Sequence, residues 1–209
     1  MCRSVGRGAS FFQILISMEK ITRQENAERA WEVLSSEYVS ERPWLTVRKE
    51  HVRLANGREA NEFYVLEYPD WVNVTAVTTD GRLVMIKQYR HGLQRTDYEL
   101  CAGVIEEGET PEDAARRELL EETGYGRGEW KLLCKIAPNP STQTNYTFCF
   151  LAEGVEQIDT QHLDGAEDIS VHLLSKQEVL ELLETDSIIQ ALMAAPLWKW
   201  FATENKDLL

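Results

Sequence analysis

The sequence predicts an α+β fold in which antiparallel and mixed strands pack with a small number of helices. Two pairs of strand-like segments are each joined by a tight-turn dipeptide, Asn56-Gly57 and Asp80-Gly81, which is the pattern of a β-hairpin. Between later strands lies one acidic helix, which begins after Thr110 and stops at Gly124. At 209 residues, the chain can bury a sizeable core as one medium domain or as a domain with a small appendage.

The N-terminal part is predicted to contain a leader, a helix and a hairpin. Residues 1–17 carry arginines and then an apolar run that is too short for the core of a signal peptide. We interpret them as a poorly ordered leader or non-native start ahead of Met18, rather than as a secretion signal. The apolar residues of 25–36 share one side of a helix. Strands are expected at 38–39, 44–54 and 62–68. The segment 18–70 is therefore predicted to form a helix and β-hairpin subdomain.

The rest of the chain, 71–209, is predicted to form the main domain. Its strands are expected at 72–78, 82–89, 98–102, 130–136, 146–153 and 169–174. Thr110 is an N-cap residue type and Gly124 a C′ residue type, so the acidic helix between them has about three and a half turns. No internal repeat or low-complexity segment interrupts the domain.

Two more helices are predicted after the last strand. Ser175 and Glu178 have the spacing of a capping box, which opens an amphipathic helix. A final helix is expected over 188–201. Because proline lacks the N–H that a helix interior uses, we expect this helix to be interrupted or kinked at Pro196.

Three carboxylates of the acidic helix form a candidate metal site. Glu118, Glu121 and Glu122 stand at i, i+3 and i+4, a spacing that places them on one helix face. Like charges at this spacing repel, and a divalent cation removes the repulsion. Hard oxygen ligands favour Mg²⁺, or Mn²⁺ as the second choice. Taken alone, the same pattern is also typical of a solvated acidic surface.

The loop before the helix favours the metal site over the solvated surface. Ala102-Gly103 and Gly108 allow the backbone to approach an ion or a phosphate closely. Glu109 adds another acid just ahead of the helix. Arg117 lies next to the candidate ligands and could orient them through charge-assisted hydrogen bonds.

Residues 103–125 resemble the signature of the Nudix hydrolases, G-x5-E-x7-R-E-U-x-E-E-x-G-U, at every specified position. The fixed positions are filled by Gly103, Glu109, Arg117, Glu118, Glu121, Glu122 and Gly124. The resemblance implies an α/β/α sandwich with a mixed central sheet, preceded here by an antiparallel β-hairpin subdomain. It also implies metal-dependent hydrolysis of a diphosphate linkage.

From about Glu37 onward the chain resembles the ADP-ribose pyrophosphatase branch of that family. The segment 44–48 and the Asn56-Gly57 turn look like the branch's N-terminal hairpin. In that branch the hairpin often crosses to a second subunit, which implies a homodimer with an exchanged hairpin. Trp44 is similar to residues that stack on the substrate's base, although dimer or core packing is an equally open interpretation.

Three further segments carry the resemblance to this branch. Gln88-Tyr89-Arg90 matches a motif whose arginine contacts substrate phosphate or ribose, which makes Arg90 a substrate-binding candidate. Glu99 to Gly103 resembles E-L-P-A-G, with Cys101 in place of proline. In that motif the alanine carbonyl, here that of Ala102, is a metal ligand; Glu99 and Gly103 are further substrate-binding candidates. Pro140 lies where this branch commonly has proline and is also assigned to substrate binding.

An acidic loop at 164–168 supplies the candidate general base. It resembles the loop from which the family takes its base or a further metal ligand, and Glu167 is the first choice for either role. Asp164 and Asp168 are alternatives for the base, and an acidic surface loop is the alternative without function. With Glu121, Glu122 and Arg117, Glu167 completes the candidate catalytic set.

The resemblance implies cleavage of a nucleoside diphosphate sugar, with ADP-ribose giving AMP and ribose 5-phosphate as the first expectation. Two or three Mg²⁺ ions would be held by the carboxylates and the Ala102 carbonyl. GDP-mannose, UDP-glucose or another sugar nucleotide is the alternative substrate. A ligand sensor without catalysis is a different class, but it would need a basic DNA-binding domain, and the region after Leu174 has no basic patch.

Composition excludes several kinds of partner. The formal net charge of −13 argues against nucleic acid, since phosphate backbones need basic surface. No stretch reaches the length of a membrane span. Four scattered cysteines without a C-x-x-C pair are typical of reduced thiols in a cytoplasmic protein.

Overall fold

The computed structural model describes residues 29–165 and 167–204. These residues fall into two compact units that divide between Leu66 and Glu67. The predicted leader at 1–17 and the start of the predicted N-terminal helix lie outside the described residues. Within the described ranges, no helix has the length and apolar character needed to cross a membrane.

The first unit is a three-stranded sheet. Its strands, in spatial order, are β1 (Glu32–Arg42), β2 (Leu45–Arg53) and β3 (Glu59–Glu67). β2 passes into β3 through a tight turn in which the Gly57 N–H donates to the Leu54 carbonyl over 2.9 Å. Gly57 has a φ of 81°, a backbone conformation that favours glycine. The hairpin predicted from Asn56-Gly57 is confirmed.

The helix predicted over 25–36 is wrong in its described part, because 32–36 belongs to β1. β1 pairs antiparallel with β2 along its length. Next to the strand, the Trp31 ring packs edge-on against Phe63, with 5.3 Å between the ring centroids. Pairing with residues distant in sequence has therefore overridden a local apolar pattern.

The second unit is built on a mixed sheet of eight strands. These are β4 (Trp71–Thr78), β5 (Leu83–Arg90), β6 (Arg95–Glu99), β7 (Cys101–Val104), β8 (Tyr125–Gly126), β9 (Glu129–Ile136), β10 (Thr147–Gln157) and β11 (Ile169–Leu174). The main path is β11-β5-β4-β10-β8, with β6 on β5, β7 on β4 and β9 on β10. β4 and β10 are parallel, and the remaining described pairs are antiparallel. The predicted mixed sheet is confirmed.

The single strand predicted at 98–102 is divided in the structure. β6 pairs with β5, whereas β7 pairs with β4, so the chain changes neighbours at the buried Leu100. The residue types of a predicted strand do not indicate which neighbouring strand each half pairs with. The change places Ala102 and Gly103 opposite the start of β4.

The acidic helix α1 (Pro111–Thr123) begins and ends where the sequence predicts. The Asp113 N–H donates to the Thr110 side chain over 3.2 Å. At the other end, Gly124 has a φ of 74° and donates to the Leu120 carbonyl over 2.8 Å. Both ends depend on local residue types, so sequence alone could locate them.

The two C-terminal helices are α2 (Lys176–Glu184) and α3 (Ala191–Glu204). α2 opens with the predicted capping box. α3 continues through Pro196, so the predicted interruption is wrong. Proline removes only the N–H that would reach the carbonyl of Leu192, and that carbonyl instead accepts a hydrogen bond of 2.7 Å from Asn73 Nδ2.

The helices cover opposite faces of the sheet, which gives the predicted α/β/α sandwich. α1 buries Ala114 and Leu119 with Val72 and Val74 of β4 in one core. Strand side chains alternate between faces, so Val77 belongs to a second core instead. This second core also contains buried residues of α2 and α3, namely Val179, Leu183, Met193, Leu197, Trp200 and Phe201.

Candidate active site

The close approach of α1 to β7 explains the first glycine of the signature. Gly103 is buried in β7, and a Cβ atom built at this position would collide with the Glu118 carboxyl group. Only a residue without a side chain leaves room for that carboxylate. The sequence predicts that Gly103 lets the backbone approach an ion or a phosphate; in the structure, the group that lies closest to it is the Glu118 carboxylate.

Arg117 lies at the centre of a network that orders the carboxylates. Its Nε donates to Glu109 over 2.9 Å, and Nη1 donates to Glu118 over 2.8 Å and to Glu121 over 3.1 Å. Nη2 donates to the Val104 carbonyl over 3.0 Å and to the second Glu109 oxygen over 3.0 Å. The Arg117 guanidinium thus connects the loop before α1 to the acidic face of the helix through hydrogen bonds.

Glu122 is the most deeply buried of the acidic residues of α1, with 4% of its surface exposed. Its carboxylate accepts a hydrogen bond of 3.1 Å from the Ala102 N–H. The pKa of Glu122 is raised to about 8, mainly by burial, against hydrogen bonds from Cys101 and Ala102 that lower it and together with the charges of Glu118 and Glu167 that raise it. The group is thus buried beside two other carboxylates.

Cys101 supports Glu122 instead of acting as a nucleophile. Burial raises the pKa of the Cys101 thiol, and the neighbouring Glu122 charge raises it further. The sulfur therefore stays protonated and donates to the carboxylate. Cys101 stands where the family motif has proline. Its hydrogen bond to Glu122 is one site contact that the sequence did not predict.

The acidic loop reaches the same place through Glu167. Its N–H donates to the Asp164 carbonyl over 2.9 Å, and its carboxylate accepts from the Asp164 N–H over 2.9 Å. After burial, the Glu167 charge is among the causes that raise the pKa values of Glu118 and Glu122. Asp164 and Asp168 are exposed, whereas Glu167 is half-buried.

The chemistry of this donor set fits a hard divalent cation. Glu118, Glu121, Glu122 and Glu167 offer oxygen atoms only, and burial raises the pKa of Glu118 as well. In the described residues, no three His, Cys, Asp or Glu side chains stand in a ready-made metal-binding arrangement. Arg117 hydrogen-bonds two of the carboxylates, Glu118 and Glu121.

Arg90 and Glu99 form a second charged feature, at the ends of β5 and β6. Arg90 Nε donates to one Glu99 oxygen over 2.8 Å, and Nη2 donates to the other over 2.5 Å. Glu99 is only 1% exposed. Both of its oxygens are occupied by Arg90, so its direct effect is to orient the guanidinium of that residue.

Trp44 and Pro140, the other predicted substrate-binding residues, are both exposed. Trp44 belongs to the first unit, in the turn between β1 and β2, where it has a positive φ of 63° and an exposed fraction of 61%. Pro140 lies in the loop between β9 and β10. Their roles stay predictions.

Gln161 is a site residue that the sequence did not indicate. Its Nε2 donates to the Glu122 carbonyl over 2.7 Å and to the Ile169 carbonyl over 3.2 Å. It therefore connects the end of α1 to the strand that follows the acidic loop. A single glutamine in a loop has no pattern from which this contact could be predicted.

Two family models match the chain. Residues 69–194 match the NUDIX domain, and residues 31–66 match the nucleoside diphosphate sugar hydrolase N-terminal domain. The first match covers more than half of the chain. The N-terminal match ends at residue 66, which is also the last residue of the first compact unit.

Known proteins with similar sequences include an ADP-ribose pyrophosphatase from Bacillus subtilis, 35% identical over 143 residues, 68% of this chain and 77% of that protein. A methanol dehydrogenase activator from Bacillus methanolicus is 30% identical over 145 residues, 69% of this chain and 78% of that protein. The crystal structure of an ADP compounds hydrolase matches with a TM-score of 0.75 at 22% identity, covering 85% of this chain and 95% of that one. This last likeness shows a shared fold.

Proposed function

The chain belongs to the Nudix hydrolase family, and we propose that it hydrolyses the pyrophosphate bond of a nucleoside diphosphate sugar, with ADP-ribose cleaved to AMP and ribose 5-phosphate. The observation that carries the proposal is the position of the Glu118 carboxyl group against the buried Gly103 of β7, with Arg117 hydrogen-bonded to Glu109, Glu118 and Glu121. The N-terminal family match and the similarity to an ADP-ribose pyrophosphatase support the substrate class.

The carboxylate face of α1 would hold the divalent cations. Glu118, Glu121, Glu122 and the Ala102 carbonyl would be the ligands of Mg²⁺, with Mn²⁺ as the alternative. When bound, such cations neutralise diphosphate charge and activate a water for in-line attack on phosphorus. Arg117 would orient the carboxylates of Glu118 and Glu121 through its hydrogen bonds of 2.8 and 3.1 Å.

Glu167 would accept the proton of the attacking water. A carboxylate can act as general base when it lies within reach of the water and is ionised near neutral pH. Glu167 is half-buried in the loop before β11, and its charge acts on Glu118 and Glu122. These facts favour it over the exposed Asp164 and Asp168.

Arg90 would bind the phosphate or ribose of the substrate. Glu99 orients its guanidinium through two hydrogen bonds, and the charge suits an anionic diphosphate. Gly103, Pro140 and Trp44 complete the proposed substrate contacts, the last through its flat apolar face.

The N-terminal sheet supports a homodimer with an exchanged hairpin. β1 is exposed at nearly every position, and apolar side chains such as Val33, Val39 and Leu45 are more than half exposed. β1 is also at the edge of the three-stranded sheet, and an edge strand is a template for pairing with another chain. Light scattering coupled to size-exclusion chromatography should give twice the chain mass; a monomer at micromolar concentration would contradict the dimer.

A hydrolysis screen tests the proposed function. ADP-ribose, GDP-mannose, UDP-glucose, NADH and diadenosine polyphosphates would be incubated with and without Mg²⁺, and the products separated by chromatography. We expect ADP-ribose to give AMP and ribose 5-phosphate only with the metal. Preference for GDP-mannose or UDP-glucose would change the proposed substrate but not the proposed reaction class. No turnover of any substrate would favour a ligand sensor.

A further inference from the structure

Two cysteines of the second unit lie directly opposite each other on neighbouring antiparallel strands. Cys134 is on β9 and Cys149 on β10, and the two are register partners. Directly opposed residues of an antiparallel pair have Cα atoms about 4.5 to 5.5 Å apart, and a disulfide spans Cα distances of about 4.4 to 6.8 Å. Both cysteines are free in the structure. The backbone therefore already holds the two thiols at a separation that a disulfide can close.

A β-bulge creates this pairing of cysteines. Phe150 pairs with Leu132, whereas Cys149, one residue earlier, pairs with Cys134, so Leu133 is an extra residue of β9 in the register of the two strands. In a regular ladder, Cys149 would lie opposite Leu133 instead. Bulges re-aim the side chains next to them, and this one brings one thiol opposite the other.

The two thiols differ in burial. Cys149 is completely buried, and its Sγ lies 3.9 Å from the Thr147 carbonyl oxygen. Cys134 is half-buried, on a strand that pairs with β10 and lies off the main path of the sheet. A small oxidant can therefore reach Cys134 from solvent, whereas Cys149 is shielded from it.

Hydrogen bonding and charge favour the thiolate form of Cys134. A hydrogen bond from the Cys149 thiol lowers the pKa of Cys134, against burial that raises it, and the charge of Lys199 on α3 lowers it as well. The same hydrogen bond, together with burial, raises the pKa of Cys149. Because the thiolate is the nucleophilic form of cysteine, the more accessible sulfur is also the more reactive one.

We propose that Cys134 and Cys149 are a redox modification site, at which hydrogen peroxide converts the thiol pair into a cross-strand disulfide. First, the Cys134 thiolate attacks one peroxide oxygen and the O–O bond breaks. This leaves a sulfenic acid on Cys134, and the departing hydroxide takes a proton from solvent to become water. Next, the Cys149 sulfur attacks the Cys134 sulfur, its proton goes to the leaving hydroxyl, and a second water departs. The two thiols are thereby oxidised, and one peroxide is reduced to two waters.

The disulfide would close a ring over residues 134–149. This ring contains the end of β9, the loop that follows it and the start of β10. The loop carries Pro140, one of the proposed substrate contacts, so oxidation would join the two strands that hold this loop. The modification does not depend on the proposed function, because neither thiol belongs to the carboxylate face of α1.

Peptide mapping of the oxidised protein tests the site. The reduced full chain would be treated with a small molar excess of hydrogen peroxide, its remaining thiols blocked with iodoacetamide, and the product digested with trypsin. Cleavage after Lys131 and Lys135 places the two cysteines on different peptides. We expect mass spectrometry to show these peptides linked through Cys134 and Cys149, with two hydrogens fewer than their sum, and separated again by dithiothreitol.

Single serine variants separate the roles of the two cysteines. Cys149→Ser leaves Cys134 without a second thiol, so its sulfenic acid should persist and be trapped by dimedone far more than in the wild type. Cys134→Ser leaves only the buried thiol, which should react with peroxide about tenfold more slowly or less. Serine is close to cysteine in size, and circular dichroism would check the fold of each variant. The mapping of the wild type does not depend on either variant.

Lys199→Gln tests the contribution of the neighbouring charge. Without the ammonium group, oxidation of Cys134 at fixed pH should slow severalfold. Lys135→Gln is the matched control, because the Lys135 ammonium lies over the rings of Tyr146 and Phe148 instead, and its rate should stay near that of the wild type. Equal rates for Lys199→Gln and the wild type would contradict the role of Lys199.

Three results of the mapping would overturn the proposal. In the first, both cysteines are still blocked by iodoacetamide after peroxide treatment. In the second, Cys134 is oxidised to a sulfinic acid while Cys149 stays a free thiol. In the third, either cysteine is linked to Cys2, to Cys101 or to another molecule instead of to its partner across the strands.

Discussion

Glu99 and Glu122 are two buried carboxylates in the same unit, and they differ in what surrounds them. Glu99 is 1% exposed, and a single guanidinium, that of Arg90, donates to both of its oxygens. Glu122 is 4% exposed and receives a backbone N–H and a thiol. No cation donates to Glu122 in the described residues, and Glu118 and Glu167 add negative charge nearby.

The difference separates a positioning carboxylate from a candidate metal ligand. A buried charge is costly unless it is paired. Glu99 is paired with Arg90 through both of its oxygens, so its role is to orient that guanidinium. Glu122 receives no hydrogen bond from a cationic side chain in the described residues, and the charge of Arg90, which is hydrogen-bonded to Glu99, acts on it only in addition. The family's divalent cation would supply a counter-charge in direct contact with it. The substitutions below test whether these two buried acids respond in opposite ways.

Glu122→Gln should have the largest effect, because it removes the charge that a cation needs while the amide oxygen can still accept from Ala102. We expect kcat to fall by several orders of magnitude with the fold intact, measured with ADP-ribose and excess Mg²⁺. Glu129→Gln, at an exposed position of β9, is the control. Near-wild-type turnover of Glu122→Gln would remove this residue from the metal site.

Metal-free protein should lose stability as the pH rises, because of Glu122. Its pKa in the folded chain is about 8, against a usual value of 4.5. Because the folded-state pKa is raised, the contribution of Glu122 to the free energy of unfolding is fully present below about pH 4.5. It is lost progressively as the pH rises to about 8. The loss is about 5 kcal/mol. Urea unfolding in chelator should show it as the difference between wild type and Glu122→Gln, and Mg²⁺ should reduce it; equal pH profiles would contradict it.

Gly103→Ala should impair catalysis far more than folding. The added Cβ would meet the Glu118 carboxyl group, which is the flexible end of a side chain and can move away. We expect turnover to fall by about a hundredfold and stability to change by less than about 1 kcal/mol. Gly92→Ala, where nothing lies within 4 Å of the added atom, is the matched control. Unfolding of Gly103→Ala at ordinary temperature would show that the glycine is structural instead.

Glu99→Gln should destabilise the fold, the opposite of the effect expected for Glu122→Gln at pH 8. The Arg90 side chain is 38% exposed and can turn partly to solvent, so the loss should be about 2 kcal/mol, below the usual range for a broken buried pair. KM should rise as Arg90 loses its orientation. Glu112→Gln breaks an exposed pair with Arg116 and should cost less than about 0.5 kcal/mol. A stabilised Glu99→Gln variant would remove the contrast between the two acids.

Much of the candidate site could be predicted from local sequence. Thr110 and Gly124 mark the ends of α1 by residue type, and the helical period places Glu118, Glu121 and Glu122 on one face. The strand β1 could not be predicted in this way, because its structure depends on pairing with β2. The change of pairing strand at Leu100, from β5 to β4, could not be predicted for the same reason.

The sequence by itself determined the reaction class, because the signature from Gly103 to Tyr125 places carboxylates, an arginine and glycines through helical periodicity and local caps. Only the tertiary structure decided which carboxylate is buried without a hydrogen bond from a cationic side chain and which one holds Arg90. Ala102 and Glu122 are 20 residues apart and meet only when β7 and α1 pack together. Burial and long-range contacts belong to the folded chain, and no local pattern contains them.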